Sequence, residues 1–552
     1  VSGEKILIVG GVAGGATAAA RVRRLSETAD ITLIDRGPYV SFANCGLPYF
    51  LSGDISKRSQ LLLQTPEGFE GRYGVKVRLN TEALEIDRAT RRVRVLGPEG
   101  ESWLAYDKLI LAQGSNPIVP PLPGADAGHA FKLWTVPDMD RLQSYLVEAH
   151  PQSVVVAGGG FIGLEMAEAF HARGLKVTVV ELAPQVLGVM DREFGNVVAG
   201  HLRSHGIDVI TGVGLKAVLT EPREVELSDG RRVSADLVLF SVGVRPELTL
   251  VKQAGLTLGP SGGLLVDEFL RTSDPSIWAA GDMVEVTQKV SGRPVRIPLA
   301  GPANRQGRIA ATNAVGGSMR YRGALGSSVV KVLDATAAAT GLTEKAARDA
   351  GFDTGVAVIH KDHHAGYYPG GKTLTLKLIY DRKNGRLLGA QAFGLEGVDK
   401  RIDVLATALA GKLTLEDLSE LDLAYAPPYS SANDPVNMAA FVGMNDLDGT
   451  SPLVTADELS ARYHPATDLV LDVRNVGEFN RGHLSGALNI PVDELRGRLS
   501  EVPRDKRLFV HCAVGFRGHL AVRILKQNGF QPSNVTGGYT SIKASGLFQE
   551  EH

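Results

Sequence analysis

The sequence predicts an α/β protein of several domains: two doubly wound, Rossmann-like units, an α+β segment after them, and a small α/β domain at the C-terminal end. Three observations lead there. A strand, a glycine turn, a helix and a second strand follow one another at "KILIVGGVAGG…ITLID" and again at "SVVVAGGGFIGLEMAEAF…VTVVE". Past residue 325 the chain changes to mixed strands and helices, beginning "GSSVVKVLDATAAATG". A polar stretch with Gly and Pro at 445–453 then reads as a linker, before one more strand, loop and helix, "RLFVHCAVGFRGHLAVRILKQNGF".

The 552 residues, 44% of them hydrophobic, suffice for three or four cores of ordinary size. Lys and Arg total 59 against 61 Asp and Glu, so no net basic field is offered to nucleic acid or an anionic membrane. An anionic ligand needs a local basic pocket. No apolar run approaches the ~20 residues of a membrane span, and the start has no charged leader ahead of a long apolar stretch; a soluble, cytoplasmic chain is expected. Two distant cysteines, Cys45 and Cys512, do not make the disulfide framework of a secreted protein. Each is either a buried apolar residue or a working thiol.

In the first unit Gly10 and Gly15 let the backbone turn tightly and approach a pyrophosphate at the helix N-terminus, where free N–H groups and the helix dipole favour negative charge. Val12 occupies the place of the middle glycine. Asp35, 20 residues after Gly15, is placed to accept hydrogen bonds from an adenosine ribose. The second unit carries all three glycines, Gly158, Gly160 and Gly163, and its second strand ends at Glu181. Two such sites imply two dinucleotides, although glycines that merely pack helix on sheet are the alternative at each. An acidic strand end favours a free 2′-hydroxyl, and the "LAPQ" that follows offers no Arg to a 2′-phosphate, so NADH is expected ahead of NADPH, which stays open.

Two further apolar strands, in "YDKLILAQGSNP" and "ADLVLFSVGVRPEL", break at Gly and Pro, and "TSDPSIWAAGDMVE" ends in Gly281 and Asp282. With these the sequence resembles the flavoprotein disulfide reductases over residues 1 to about 444. The resemblance implies FAD at the first site, with Asp282 near the ribityl hydroxyls, and NAD(P)H at the second. It implies an FAD-binding domain at 1–116 plus 236–325, an NAD(P)H-binding domain at 117–235, and a dimerisation domain at 326–444.

Members similar to glutathione reductase carry a C-x-x-x-x-C pair where this chain has Cys45 followed, five residues on, by Phe50. No other cysteine precedes Cys512, so an internal dithiol cycle is excluded. Cys45 must then exchange with something brought from outside, peroxide or a small thiol. Peroxidases of the superfamily carry a His in the first glycine loop, where this chain has Ala13. The run "SFANCGLPY", Ser41 to Tyr49, resembles instead the coenzyme A disulfide reductases, with Gly46 where Ala is frequent. That resemblance implies a coenzyme A site lined by Thr17, Ser41, Asn44 and Asn304. In "ARVRRLS" Arg21 and Arg24 share a helix face suited to phosphates and Arg23 turns away; a solvated basic face is the alternative.

The dimerisation segment contains "HHAGYYPGGK" and "LAYAPPYSSANDPVN". By resemblance Tyr367 and Tyr425, rather than their neighbours Tyr368 and Tyr429, reach Cys45 of the partner subunit in a homodimer and offer a proton to a departing coenzyme A thiolate. Tyrosines packed at an interface are the alternative. His363 and His364 are expected as exposed loop residues, and no metal set is expected.

Residues 454–552, with "DLVLDVRNVGEFNRGHLSGALNIP" and "CAVGFR", resemble a single rhodanese domain. The loop after Cys512 forms an anion cradle of backbone N–H groups, lowering a thiol's pKa and stabilising a persulfide. Arg517 adds positive charge, and Asp472 and Arg474 support the fold. The expected function is FAD-dependent NADH:coenzyme A persulfide, disulfide or polysulfide reduction through a Cys45–coenzyme A mixed disulfide, fed by sulfane sulfur from Cys512. An NADH peroxidase or oxidase, and a sulfur-sensing scaffold with an inactive rhodanese module, are the alternatives.

Overall fold

The computed structural model describes residues 3–551 and divides into two compact units. Residues 1, 2 and 552, at the ends of the expected first and last domains, lie outside the described residues. The first unit runs to Pro184 and includes Gly206–Gly326; the second comprises Gln185–His205 and the chain from Ser327 onward.

Two parallel five-stranded sheets organise the first unit. One has the order Ile277–Ala279, Lys108–Leu111, Lys5–Val9, Asp30–Ile34, Val75–Arg78. Its central strand is apolar without interruption, Ile6, Leu7 and Ile8 being at most 1% exposed, because both faces are covered. The other has the order Asp208–Thr211, Lys176–Glu181, Ser153–Ala157, Leu237–Phe240, Ala130–Lys132. Each sheet is accompanied in sequence by a three-stranded antiparallel insertion, Glu82–Asp87 to Gly100–Ala105 and Leu215–Thr220 to Arg232–Ser234.

The boundary expected at 235/236 is corrected here. Leu237–Phe240 is buried along its length and pairs in parallel with Ser153–Ala157, so it completes the second sheet; the chain rejoins the first sheet only at Ile277–Ala279. An apolar strand alone does not say which sheet will bury it. The helix Arg192–Ser204, expected within the NAD(P)H-binding domain, also groups with the second unit. Lys377, 1% exposed, explains this: its ammonium lies 2.8 Å from Asp191, 2.6 Å from Glu193 and 3.0 Å from Glu344, so the start of that helix supplies carboxylates to a buried cation.

In the second unit an antiparallel sheet runs Ser328–Val332, Ala335–Gly341, Leu387–Gly394, Thr373–Asp381, Thr354–Asp362. A parallel sheet follows, Leu453–Val454, Pro532–Val535, Arg507–His511, Asp468–Asp472, Leu488–Asn489. The expected linker is shortened at its start, because the helix Pro435–Leu447 continues past 444, and Leu453 is already in a strand. The C-terminal sheet's surroundings are fastened to the antiparallel sheet. Thr536 Oγ1 donates to Val358 C=O (3.3 Å) and accepts from Val358 N–H (2.8 Å), His360 meets Ser541 Oγ at 3.0 Å, and Asn196 donates to the carbonyls of Ala544 and Ser545. Arg192 pairs with Asp457. Among the described residues no helix is long and apolar enough to cross a membrane.

Candidate active sites at Cys45 and Cys512

The first glycine turn sits at the carboxyl end of Lys5–Val9. Gly10 has φ +100°, and a Cβ there would lie 2.2 Å from the Ala112 carbonyl; one on Gly15 would lie 1.7 Å from the Gly10 carbonyl. Only glycines allow the helix Ala13–Leu25 to start this close to the strand. Asp35 accepts hydrogen bonds of 2.7 Å from Gly11 N–H and Gly37 N–H, and burial raises its pKa. Beyond the end of Ile277–Ala279, Asp282 is lifted likewise by burial while accepting 2.7 Å from the Ser115 hydroxyl; Gly281 N–H donates to Gln306. Gln113 Oε1, next to Ala112, is buried with no hydrogen-bond partner among the described residues. Turn, ribose acceptor, second carboxylate and orphan acceptor fit the pyrophosphate, hydroxyls and ring N–H of FAD.

The second turn repeats the construction. Glu181 accepts from Gly159 N–H at 2.7 Å and Ala183 N–H at 2.8 Å, while a Cβ on Gly160 would meet nothing within 4 Å, leaving room before the helix Phe161–Ala172 for a pyrophosphate. The carboxylate repels a 2′-phosphate. We expect NADH to exceed NADPH in kcat/KM by about tenfold or more, and Glu181→Gln to bring the ratio toward unity in steady-state assays with both nucleotides.

Cys45 is exposed and lies in the short turn Asn44–Gly46 that leads into Leu47–Ser52. This segment is tied to the first glycine turn: Ser41, in the left-handed region at φ +47°, donates its N–H to Gly11 C=O at 2.7 Å, and Asn44 donates to Trp134 C=O at 2.7 Å. Although the residue reaches solvent, burial of its surroundings is the largest push on the thiol's pKa, which is upward, followed by the charges of Glu165 and Asp282. The chain thus surrounds this thiol with carboxylates rather than cations. Glu165 accepts from Tyr49 OH at 3.2 Å, and burial pushes its carboxyl up to about 6. Above that pH it is an anion that opposes thiolate formation. Glu165→Gln should therefore move the pH midpoint of Cys45 alkylation by iodoacetamide downward; a midpoint that stays or rises would refute the coupling.

The basic face is built by two helices. Thr17 Oγ1 donates to Asn304 Oδ1 at 2.7 Å, and Arg21 Nε to Thr312 Oγ1 at 3.0 Å, joining Ala13–Leu25 to Ala300–Ala314. Arg21 has its pKa lowered by desolvation and then by the neighbouring guanidiniums of Arg308 and Arg24. Three arginines therefore gather where the sequence suggested two. Arg23 is spent elsewhere, on the carbonyls of Tyr73, Ser26, Glu27, Ala29 and Gly74.

In the second unit Tyr367 and Tyr425, exposed and 58 residues apart, meet hydroxyl to hydroxyl at 2.8 Å. That hydrogen bond raises the pKa of Tyr425. Arg401, 1% exposed, holds their two loops together: it donates to Asp434 (2.8 Å) and His363 C=O (2.7 Å), and Ser430 OH donates to the same Asp434 at 2.6 Å. His364 corrects an expectation. It is buried, tilted against His363 at 4.2 Å and edge-on to Tyr368 at 5.4 Å, so it packs the loop rather than facing solvent.

Cys512 ends Arg507–His511 and is buried, with Gly515 N–H donating to its sulfur at 3.1 Å. The loop is anchored by Tyr539 N–H and Thr540 N–H, which donate to the carbonyls of Cys512 and Ala513. Arg517 is held by both oxygens of Glu478 at 2.7 Å, a pair that pulls the Glu478 carboxyl down to about 2 and raises Arg517. Val514 and Phe516 stand exposed at the loop's rim. Asp472 and Arg474 form a buried pair, with Arg474 also donating to Gly482 C=O, a fastening of the fold.

Residues 4–307 match the model of the pyridine nucleotide-disulphide oxidoreductases, 327–435 that of their dimerisation domain, and 455–545 that of rhodanese-like domains. The chain belongs to the pyridine nucleotide-disulphide oxidoreductase family. A solved structure of reduced Bacillus anthracis CoADR-RHD is 42% identical with a TM-score of 0.96, covering 99% of the oxidoreductase and 98% of that chain. A NAD-dependent persulfide reductase from A. fulgidus is 37% identical with a TM-score of 0.90, covering 97% and 99%. An NAD(P)H sulfur oxidoreductase (CoA-dependent) of Pyrococcus abyssi is 36% identical over 440 residues, 80% of the oxidoreductase and 98% of the relative.

The structure brings together Thr17, Arg21 and Asn304, and separately Tyr367 and Tyr425. Sequence reasoning missed Glu165, Arg308, Arg401 and Glu478. Arg308 had a signal, since it lies four residues after Asn304 on one helix. Glu165, Arg401 and Glu478 had none, because each acts on a partner distant in sequence.

Proposed function

We propose that this chain is a cytoplasmic, homodimeric reductase of coenzyme A persulfide and disulfide that draws electrons from NADH through FAD and is supplied with sulfane sulfur by Cys512. The observation that carries this reading is the single exposed thiol of the first unit. With no second cysteine in that unit, every sulfur–sulfur bond Cys45 makes there is a bond to something that arrives. The basic face of Arg21, Arg24 and Arg308 supports a ligand carrying several phosphates. The relatives whose names mention coenzyme A or persulfide support the same substrates, and the matched dimerisation domain supports the homodimer.

A persulfide on Cys512 passes its outer sulfur to a coenzyme A thiolate; the bond to Cys512 breaks as the new sulfur–sulfur bond forms, and Cys512 is left as thiolate. Cys45 thiolate attacks the inner sulfur of coenzyme A persulfide, hydrosulfide departs with the bonding electrons, and a Cys45–coenzyme A disulfide remains. FAD, when bound, supplies the two-electron passage from NADH to sulfur. Residues Gly10, Gly15, Asp35, Gly281 and Asp282 would hold FAD, and Gly158, Gly160, Gly163 and Glu181 the nicotinamide nucleotide. Coenzyme A disulfide enters at the same step with coenzyme A as leaving group.

Steady-state NADH oxidation with coenzyme A persulfide, coenzyme A disulfide, polysulfide and peroxide tests the reading. Fastest turnover with peroxide would overturn it. Tyr367 and Tyr425, whose hydroxyls meet at 2.8 Å, would donate a proton to the coenzyme A thiolate released on the partner subunit. Tyr367→Phe and Tyr425→Phe should each slow thiolate release by about a hundredfold, with flavin reduction by NADH unchanged in stopped-flow traces.

A further inference from the structure

We propose that His201, His205 and Asp334 form a divalent-metal site of the zinc class, away from both cysteines in function and in ligands. The two histidines stand four residues apart near the end of the helix Arg192–Ser204, on one face, and Asp334 occupies the turn between Ser328–Val332 and Ala335–Gly341. One ligand atom from each lies within 4.8 Å of the others. His201 Nε2 is 2.8 Å and His205 Nε2 3.6 Å from the same oxygen, Asp334 Oδ1. Donors around a tetrahedral ion with bonds of about 2.0–2.1 Å lie about 3.3 Å apart. The two histidine–aspartate separations fall on either side of that value, and the three donors together lie within 4.8 Å of one another.

His205 Nδ1 lies 2.9 Å from the carbonyl oxygen of His201. A carbonyl only accepts, so Nδ1 carries the proton and Nε2 presents its lone pair toward Asp334. Protein ligands to zinc are oriented in this way, their second ring nitrogen donating to a backbone carbonyl. His201 is steadied from another side, edge-on to Phe393 at 5.7 Å. Its Nε2–H now donates to the carboxylate, and a metal displaces that proton to solvent. Two imidazoles and one carboxylate select Zn²⁺ and its neighbours over Mg²⁺ or Ca²⁺, and solvent completes the sphere. A bound ion would tie this helix to the Leu333–Asp334 turn, where Leu333 holds φ +59°.

The test uses the tag-free, FAD-loaded, full-length enzyme, stripped with chelator and titrated with ZnCl₂ by calorimetry alongside His205→Gln and Asp334→Asn. The expected result is one equivalent per chain lost in both variants, with zinc taken up at cysteine sulfur common to all three proteins. Zinc should also raise Tm in the wild type by more than in either variant. Equal stoichiometry and affinity in all three would overturn the proposal. Should a variant lose its flavin, the wild type decides alone: saturating zinc should protect His201 and His205 from diethylpyrocarbonate, and undiminished modification of both would overturn it.

Discussion

Cys45→Ser will retain FAD and be reduced by NADH, yet lose turnover with coenzyme A persulfide and coenzyme A disulfide alike, by about a thousandfold or more. The turn at Gly10 and the carboxylates of Asp35 and Asp282 would hold the flavin, and the hydrogen bonds of those carboxylates go to Gly11, Gly37 and Ser115 rather than to Cys45. Binding and chemistry should therefore separate cleanly. A serine hydroxyl is far less acidic than even this raised thiol and cannot form a sulfur–sulfur bond, so no covalent intermediate can accumulate. The measurement is NADH consumption in steady state together with flavin absorbance before and after NADH. Retained turnover would mean that substrate is reduced without a bond to Cys45, and the proposed mechanism would be wrong.

Cys512→Ser should divide the activities differently. Reduction of coenzyme A disulfide does not pass through Cys512 and should be unchanged. Thiosulfate sulfurtransfer should fall by about a thousandfold, because the Gly515 N–H that lies 3.1 Å from the sulfur has no persulfide to stabilise. With sulfane donors and catalytic coenzyme A, NADH oxidation should fall most for large or protein-bound donors, since small persulfides reach Cys45 by diffusion. The bidentate Glu478–Arg517 pair sharpens the expectation: with its charge largely answered, Arg517 is a weaker lure for a thiosulfate dianion than an unpaired guanidinium. Equal rates across every donor, with sulfurtransfer unchanged, would reject the relay and leave the C-terminal domain a docking module.

Much of the architecture was legible because it is written locally. Glycine spacing and an acidic strand end lie within about thirty residues of each other in both dinucleotide units, and the loop of Cys512 is continuous in sequence. Boundaries were read less well. Leu237–Phe240 looks like any buried strand, and only its pairing with Ser153–Ala157 assigns it to the second sheet. The helix Arg192–Ser204 follows Asp191 and Glu193 to Lys377, nearly two hundred residues on, a choice set by one buried cation. At the sites the same rule holds. Cys45 announces itself, whereas Glu165, which biases its ionisation, is 120 residues away and visible only once two helices are packed. Zinc-class ligands at His201 and His205 are half a motif in sequence; Asp334 joins them from a turn.

Thr354–Asp362 is the outermost strand of its antiparallel sheet, and Thr536 occupies both the N–H and the C=O of Val358 with a single hydroxyl. An unoccupied strand margin is a template on which another chain can add itself. The rhodanese-like domain therefore covers this margin at Val358, with Ser541 meeting the side chain of His360 beside it. This duty is independent of Cys512.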